Sequence, residues 1–150
     1  MTDFMTAKQR SAAMAKVKGK NTGIEKTVRS RLHSDGFRFR INDPGIPGKP
    51  DILLPKYRAA IFVNGCFWHG HRGCSKSKLP DTKTEFWTAK IDANKRRDEK
   101  NIRLITDTGW RVIQIWECAL KDRKSIDITI AELEKWLLSA ESKYEIPCVF

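Results

Sequence analysis

Residues 51–64 have the sequence DILLPKYRAAIFVN, and this stretch decides the fold class. Two apolar runs, Ile52–Leu54 and Ala59–Val63, flank the tetrapeptide Pro55-Lys56-Tyr57-Arg58. Two short apolar runs separated by a proline-containing turn predict a β-hairpin. The rest of the chain is interpreted outward from this hairpin.

A helix precedes the hairpin. Thr22 and Glu25 fit a capping box, in which each side chain satisfies a free backbone N–H of the first turn. Ile24, Val28 and Leu32 then recur every four residues, which places them on one helical face. The pattern predicts an amphipathic helix that packs this face on the core.

Further elements surround these two. Alternating apolar and basic residues over 37–41 predict a strand before the hairpin. After it, a charged segment from Thr84 to about Thr106 predicts a long helix, Val112–Trp116 a strand, and the repeat around Leu133 a last helix. The order α, β, β, β, α, β, α predicts a mixed-sheet α/β domain flanked by helices.

Length and charge limit the class of protein. A chain of 150 residues with 40% hydrophobic residues can form one core, and no apolar run approaches the ~20 residues of a membrane span. The first ten residues lack the apolar core of a secretory signal, so we expect a reducing compartment. The formal charge is +11, with ten Lys/Arg against three Asp/Glu in residues 1–40. We expect a basic N-terminal arm over 1–20, a single domain over 21–150 and a nucleic-acid partner.

Metal-ligand residue types are densest in the loop 65–74, GCFWHGHRGC. Its candidate ligands, with one from beyond the last predicted strand, are Cys66, His71, Cys74 and Cys118. His69 is a competing nitrogen ligand, and spacing alone does not choose between them. Buried thiols with surface imidazoles are the alternative. Because Cys-x4-His-x2-Cys is uncommon in a chain with three histidines, we expect a structural zinc site.

Asp51 opens the first strand of the hairpin. Many metal-dependent nucleases have an aspartate there and an acid-x-Lys motif about ten residues later, which together bind a catalytic Mg²⁺. Those later positions hold Phe62 and Asn64, so the usual second acid is missing. On its own, Pro-Asp is a weak motif, and it fits a surface turn better than a metal site.

Several motifs together resemble the very-short-patch-repair (Vsr) mismatch endonucleases. In chain order they are Thr22-Gly23-Ile24-Glu25-Lys26, Pro47-Gly48-Lys49-Pro50-Asp51, Asn64-Gly65-Cys66-Phe67-Trp68-His69, Thr84-Glu85-Phe86-Trp87, Lys95-Arg96-Arg97-Asp98, Gly109-Trp110-Arg111-Val112 and Trp116-Glu117-Cys118. Cys-Phe-Trp-His combined with the later Trp-Glu-Cys is the most specific feature. The resemblance extends over about residues 8–120.

The resemblance implies a restriction-endonuclease-like mixed sheet flanked by helices, with a structural zinc loop. It implies an enzyme that nicks duplex DNA 5′ of the T in T:G mismatches, which arise by deamination of 5-methylcytosine. It further implies functional coupling to a cytosine methyltransferase and to mismatch-repair proteins. We expect a monomer in the bacterial cytoplasm, associated with the nucleoid.

For catalysis, the resemblance implies Mg²⁺ held by Asp51 and by the backbone carbonyl of Val63. His69 would be the general base or would orient the attacking water, because imidazole titrates near neutral pH. Glu25 and Asp98 match positions linked to activity. The capping box explains Glu25 equally well, and a solvated helix face is the alternative for Asp98.

One departure from the family pattern affects the chemistry. Familiar members have histidine where this chain has Asn64. Asparagine cannot carry a proton at neutral pH, so Asn64 is a positioning group and His69 would bear more of the acid–base role. The zinc ligands that the resemblance implies are Cys66, His71, Cys74 and Cys118.

Mismatch recognition is assigned by the resemblance to aromatic side chains. Phe67, Trp68 and Trp87 correspond to rings that enter the base stack beside the mismatch, and Met14 corresponds to an apolar probe of the opposite groove. Ordinary core packing is the alternative for Trp87. The alternative function is a zinc-stabilised module that binds mismatched DNA without cutting it, which Asn64 keeps open.

Overall fold

The computed structural model describes residues 23–146. Three predicted features therefore lie outside the described residues: the basic arm 1–20, intercalation by Met14 and helix capping by Thr22. They remain predictions. Cys148 also lies outside. Within the described range, no helix is long and apolar enough to cross a bilayer.

Four strands form one mixed sheet in the order β1-β2-β3-β4. Their bounds are Ile52–Leu54 for β1, Ala59–Asn64 for β2, Arg111–Trp116 for β3 and Lys143–Ile146 for β4. β1 and β2 are the predicted antiparallel hairpin, whereas β2, β3 and β4 run parallel to one another. Parallel neighbours need crossover connections, and helices supply them here.

Three helices cover the two faces of this sheet. They are α1 over Gly23–Ser34, α2 over Thr84–Asp107 and α3 over Arg123–Leu137. α1 and α3 pack on one face, where Leu32 and Leu133 are fully buried. α2 packs on the other face through Ile102 and Ile105. The predicted mixed α/β fold with flanking helices is confirmed.

Two predictions about strands were incomplete. The strand predicted over 37–41 is absent, because this segment has only an isolated bridge between Arg40 and Leu53. Phe37 and Phe39 are half-buried against the core of α1 and α3, so one-sided packing of an extended segment explains the alternation. β4 was missed because Lys143, Tyr144 and Glu145 are exposed and only Ile146 is buried.

The topology brings the ends of three strands, β1, β2 and β3, to one edge of the sheet. Asn64 at the carboxyl end of β2 is paired with Trp116 at the carboxyl end of β3. Because β1 runs antiparallel to β2, its first residue Ile52 pairs with Ile61, and Asp51 lies beside the end of β2. The loop 65–74, which carries three predicted zinc ligands and is called the zinc-ligand loop below, leaves β2 at the same edge. Residues that lie far apart in the sequence therefore meet there.

Candidate active site and metal centre

Asp51 is buried at the edge where β2 ends, with 8% of its surface exposed. Its Oδ2 accepts a hydrogen bond of 2.7 Å from the backbone N–H of Val63. Burial raises the pKa of Asp51 from 3.8 to about 8, and the neighbouring Glu25 adds to the rise, while the Val63 N–H opposes it. Asp51 is therefore not a surface-turn residue. A cation beside it would favour the charged form of its carboxyl group.

Glu25 from α1 lies next to Asp51 with 1% of its surface exposed. The Arg29 guanidinium donates both to Glu25 Oε2 and to the Asp51 carbonyl, each at 3.3 Å. The Glu25 carboxyl lies beside that of Asp51, and the capping-box alternative involves Thr22, which is outside the described residues. Two buried carboxylates with backbone oxygen nearby are the donor set that suits Mg²⁺. The residues present thus fit the magnesium ion that the resemblance implies.

His69 and Asp98 form a hydrogen bond of 2.6 Å between Nδ1 and Oδ2. Both side chains are about one-third exposed, and both line the same cleft as Asp51 and Asn64. With Nδ1 held by the carboxylate, Nε2 is the imidazole nitrogen left to act on another group. Asp51 comes just before β1, Asn64 from the end of β2, His69 from the loop 65–74 and Asp98 from α2. The cleft that they line measures about 1550 Å³.

α2 holds the loop that carries His69. Asn94 Nδ2 donates a hydrogen bond of 2.9 Å to the Trp68 carbonyl, one turn before Asp98. At Gly70, an added Cβ would lie 2.7 Å from Ile91 Cγ2. Sequence reasoning missed Asn94, since the charged face of α2 suggested only solvation. The shared spacing of Asn94 and Asp98 on one helix face was the available signal.

The predicted intercalating rings form one cluster. Edge contacts join Phe67 to Trp68 at 5.1 Å, Phe67 to Trp87 at 5.4 Å and Trp68 to Trp87 at 5.8 Å between ring centroids. Phe86, which was not predicted, extends the cluster through Trp87 at 5.2 Å and is 57% exposed. Phe67 and Trp68 line the same cleft as Asp51 and His69, so the aromatic cluster adjoins His69.

The predicted zinc ligands are brought together. The ligand atoms of Cys66, His71, Cys74 and Cys118 all lie within 4.8 Å of one another, and all four residues are buried. His71 Nδ1 is 3.5 Å from Cys66 Sγ and 3.4 Å from Cys118 Sγ. Donors around a tetrahedral zinc ion lie roughly 3.3–3.8 Å apart, given Zn–N and Zn–S lengths of about 2.0–2.3 Å. His69, the competing candidate, is not part of this cluster.

The pKa of one cysteine in this cluster also bears on metal binding. Burial raises the pKa of the Cys66 thiol to about 11, so a thiolate there needs a cation beside it. Because zinc binds cysteine as the thiolate, an ion on all four residues requires the three cysteines to be reduced.

Comparisons with known proteins show which proteins the chain is similar to. A family model described as DNA mismatch endonuclease Vsr matches residues 2–76. The chain is 40% identical over 148 residues to the DNA mismatch endonuclease Vsr of Escherichia coli, covering 97% of this chain and 94% of that protein. It is 42% identical over 133 residues to the type II nicking enzyme V.XorIIP of Xanthomonas oryzae, covering 89% and 97%. A nicking enzyme of Neisseria meningitidis, V.NmeAIP, is 46% identical over 123 residues, covering 82% and 87%.

Proposed function

Because this chain belongs to the DNA mismatch endonuclease Vsr family, we propose that it is a Mg²⁺-dependent endonuclease that nicks duplex DNA 5′ of the T in a T:G mismatch. The observation that carries the proposal is the pairing of two sets of residues in one cleft. The buried carboxylates of Asp51 and Glu25 and the His69–Asp98 pair all line it.

The chemistry divides between these two sets. When bound at Asp51 and the Val63 carbonyl, Mg²⁺ supplies a Lewis acid that polarises the scissile phosphate and stabilises the charge that develops on it. His69 takes the proton of the attacking water through Nε2. Asp98 holds Nδ1, fixes the tautomer and stabilises the imidazolium that forms. Asn64 orients the phosphate or the water without exchanging a proton.

Mismatch selectivity is assigned to the aromatic cluster Phe67, Trp68 and Trp87. Their rings insert beside the mismatch, where unstacking costs less than at a matched pair. Met14 and the basic arm 1–20 are proposed to bind the opposite groove and the phosphates. A structural zinc ion on Cys66, His71, Cys74 and Cys118 keeps the loop rigid enough for insertion.

The cellular setting follows from the same family. We propose that the chain acts as a monomeric single domain over 21–150 in the bacterial cytoplasm, at the nucleoid. The T:G substrates would arise at sites methylated by a cytosine methyltransferase, and the nick would pass to mismatch-repair proteins.

The deciding experiment uses a labelled duplex with one T:G pair in varied flanking sequence, with and without Mg²⁺. We expect a nick on the T strand that requires Mg²⁺, and none in the matched T:A duplex. His69→Ala should slow nicking on the order of 10²-fold or more, because general base catalysis contributes 10²–10⁴-fold. Absence of nicking in every flanking sequence would refute the proposal.

A second candidate rests on the buried Asn64, which is 5% exposed at the end of β2 and replaces an imidazole. It is a zinc-stabilised module that binds mismatches without cutting. Selective binding of the T:G duplex with no product at any Mg²⁺ concentration would favour it. Asn64→His is the informative variant. If the wild type binds mismatches without cutting them, cutting should appear only when the imidazole is introduced.

A further inference from the structure

The ring of His71 is held from one side by an indole. His71 and Trp116 are stacked at 4.1 Å between ring centroids with an interplanar angle of 6°. The His71 backbone is fixed by its N–H bond of 2.9 Å to the Cys66 carbonyl, but this bond leaves the two side-chain torsions free. The stacked indole restricts them, and it does so in the orientation that places Nδ1 near two cysteine sulfurs.

The indole is itself anchored. Trp116 is the last residue of β3 and is 6% exposed, packed with Cys66, Cys74 and Cys118. Its Nε1–H donates a hydrogen bond of 2.9 Å to Oε2 of Glu145. A buried indole N–H needs such a partner, and this bond sets the rotation of the ring plane.

Glu145 reaches the indole from the neighbouring strand. It lies on β4, paired with Gln114 of β3, and its residue is exposed to solvent. An acidic side chain on an exposed edge strand has no packing role of its own, and the sequence offered no reason to single it out. Within residues 23–146, its side chain accepts one hydrogen bond, the one from Trp116.

We propose that Trp116 and Glu145 are a positioning pair for the metal centre: Glu145 orients the indole, and the indole holds the His71 ring in its ligating position. The proposal rests on the zinc site proposed above and extends it by one shell of residues. Groups that orient a metal-binding imidazole typically change metal affinity by about 10–100-fold when removed. The pair also ties the edge strand β4 to the loop that carries Phe67, Trp68 and His69.

The test compares zinc release from the reduced full-length protein to a chromogenic chelator. Trp116→Phe keeps a stacked ring but loses the N–H, and Glu145→Gln weakens its acceptor. Each should speed release by roughly 10-fold. The double variant should be no faster than the faster single one, because both act through the same hydrogen bond. Glu141→Gln, another exposed acid just before β4, is the matched control and should release zinc at the wild-type rate.

A second readout separates positioning from general stability. Co²⁺ substituted for zinc reports ligand geometry through its visible absorption, so Trp116→Leu should shift that spectrum. A purely structural role would lower the melting temperature and leave the spectrum unchanged, which would overturn the proposal. Wild-type release rates in both single variants, or fully multiplicative effects in the double variant, would overturn it as well. A wild-type protein with no zinc refutes the zinc site itself, whereas one zinc per chain with unaltered release refutes only the pair.

Discussion

The pKa of Asp51 is raised from 3.8 to about 8, and burial is the main cause. The chain keeps a carboxylate where the folded protein prefers a neutral group, with Glu25 as a second acid beside it. Such an arrangement costs stability, and a bound cation would offset that cost. At the scale of single residues, the proposed magnesium site would therefore trade stability for metal binding.

Replacing Asp51 by asparagine should show this trade. Since the folded pKa, about 8, exceeds the unfolded value near 3.8, the proton bound in the folded state favours folding at low pH. That contribution is complete below the unfolded pKa and is lost as the pH rises through about 8. Asp51→Asn cannot ionise, so without added Mg²⁺ it should melt at a higher temperature than the wild type at pH 8.5, and it should not nick DNA.

The measurement is thermal unfolding by circular dichroism between pH 5 and pH 9. Asp107→Asn, an exposed aspartate at the end of α2, is the control and should not raise the melting temperature at pH 8.5. Equal melting temperatures for Asp51→Asn and wild type across this range would contradict the assignment of a buried, destabilising charge to Asp51.

Asp98 is the second residue whose charge should matter. An asparagine there preserves the shape but can turn its amide N–H toward His69 Nδ1, which favours the wrong tautomer. We expect Asp98→Asn to slow single-turnover nicking on the order of 10²-fold or more while T:G duplex binding changes little. Asp92→Asn, an exposed acid on the same helix, should nick at the wild-type rate. An equal loss in both variants would reduce the role of Asp98 to general surface charge.

α2 is the element that organises the site. Along one face it contacts the zinc-ligand loop at three successive points, through Ile91 at Gly70, Asn94 at Trp68 and Asp98 at His69. The same helix packs on the sheet through Ile102 and Ile105. The aromatic cluster and the proposed general base are therefore both positioned by α2.

Two glycines of the loop test this contact. Gly70 and Gly73 both have positive φ, +61° and +75°, but only Gly70 lies against α2. Alanine at Gly73 should cost about 1–2 kcal/mol of backbone strain alone. Alanine at Gly70 adds a clash with Ile91 and should cost a further 1–3 kcal/mol or so, with weaker discrimination between T:G and T:A duplexes.

Urea unfolding and nicking assays on both variants measure these effects. The Gly73→Ala variant isolates the strain that the two positions share, so the difference between the variants belongs to the contact with α2. Identical stability and identical discrimination would show that the contact contributes nothing.

On the scale of the whole molecule, the zinc-ligand cluster joins parts that are otherwise distant. Cys66 follows β2, Cys74 ends the loop and Cys118 follows β3, and they meet through His71. A metal there closes the irregular segment between β2 and α2 onto the sheet. Binding free energy at such sites contributes directly to folding.

Zinc removal should consequently affect stability and activity together. Elemental analysis of the reduced protein should find one zinc per chain, and Cys66→Ser should lose it, lower the melting temperature and abolish mismatch nicking. Cys148→Ser, which changes a cysteine outside the proposed ligand set, should retain the metal. Full nicking activity in metal-free Cys66→Ser protein would contradict a role for the zinc in holding the aromatic loop.

Local patterns in the sequence were sufficient for most of the fold. The apolar runs of β1, β2 and β3 and the periodicity of the three helices depend on nearby residues, because burial on one face imposes a repeat. The prediction of a strand over 37–41 was wrong, and β4 was missed, because the apolar pattern reports burial alone. Alternation records one-sided burial and not hydrogen bonding, and an exposed edge strand carries little apolar pattern.

The sequence by itself determined the residue types of the site, from the Cys/His motif to the lone Asp51, and through them the family. Only the tertiary structure decided which residues meet. It turned Glu25 toward Asp51, set Asp98 against His69 and left His69 outside the metal cluster. It also stacked Trp116 on His71 and linked it to Glu145. These pairs join different elements, and no local pattern encodes them, because their distances are set by how the sheet and its helices pack.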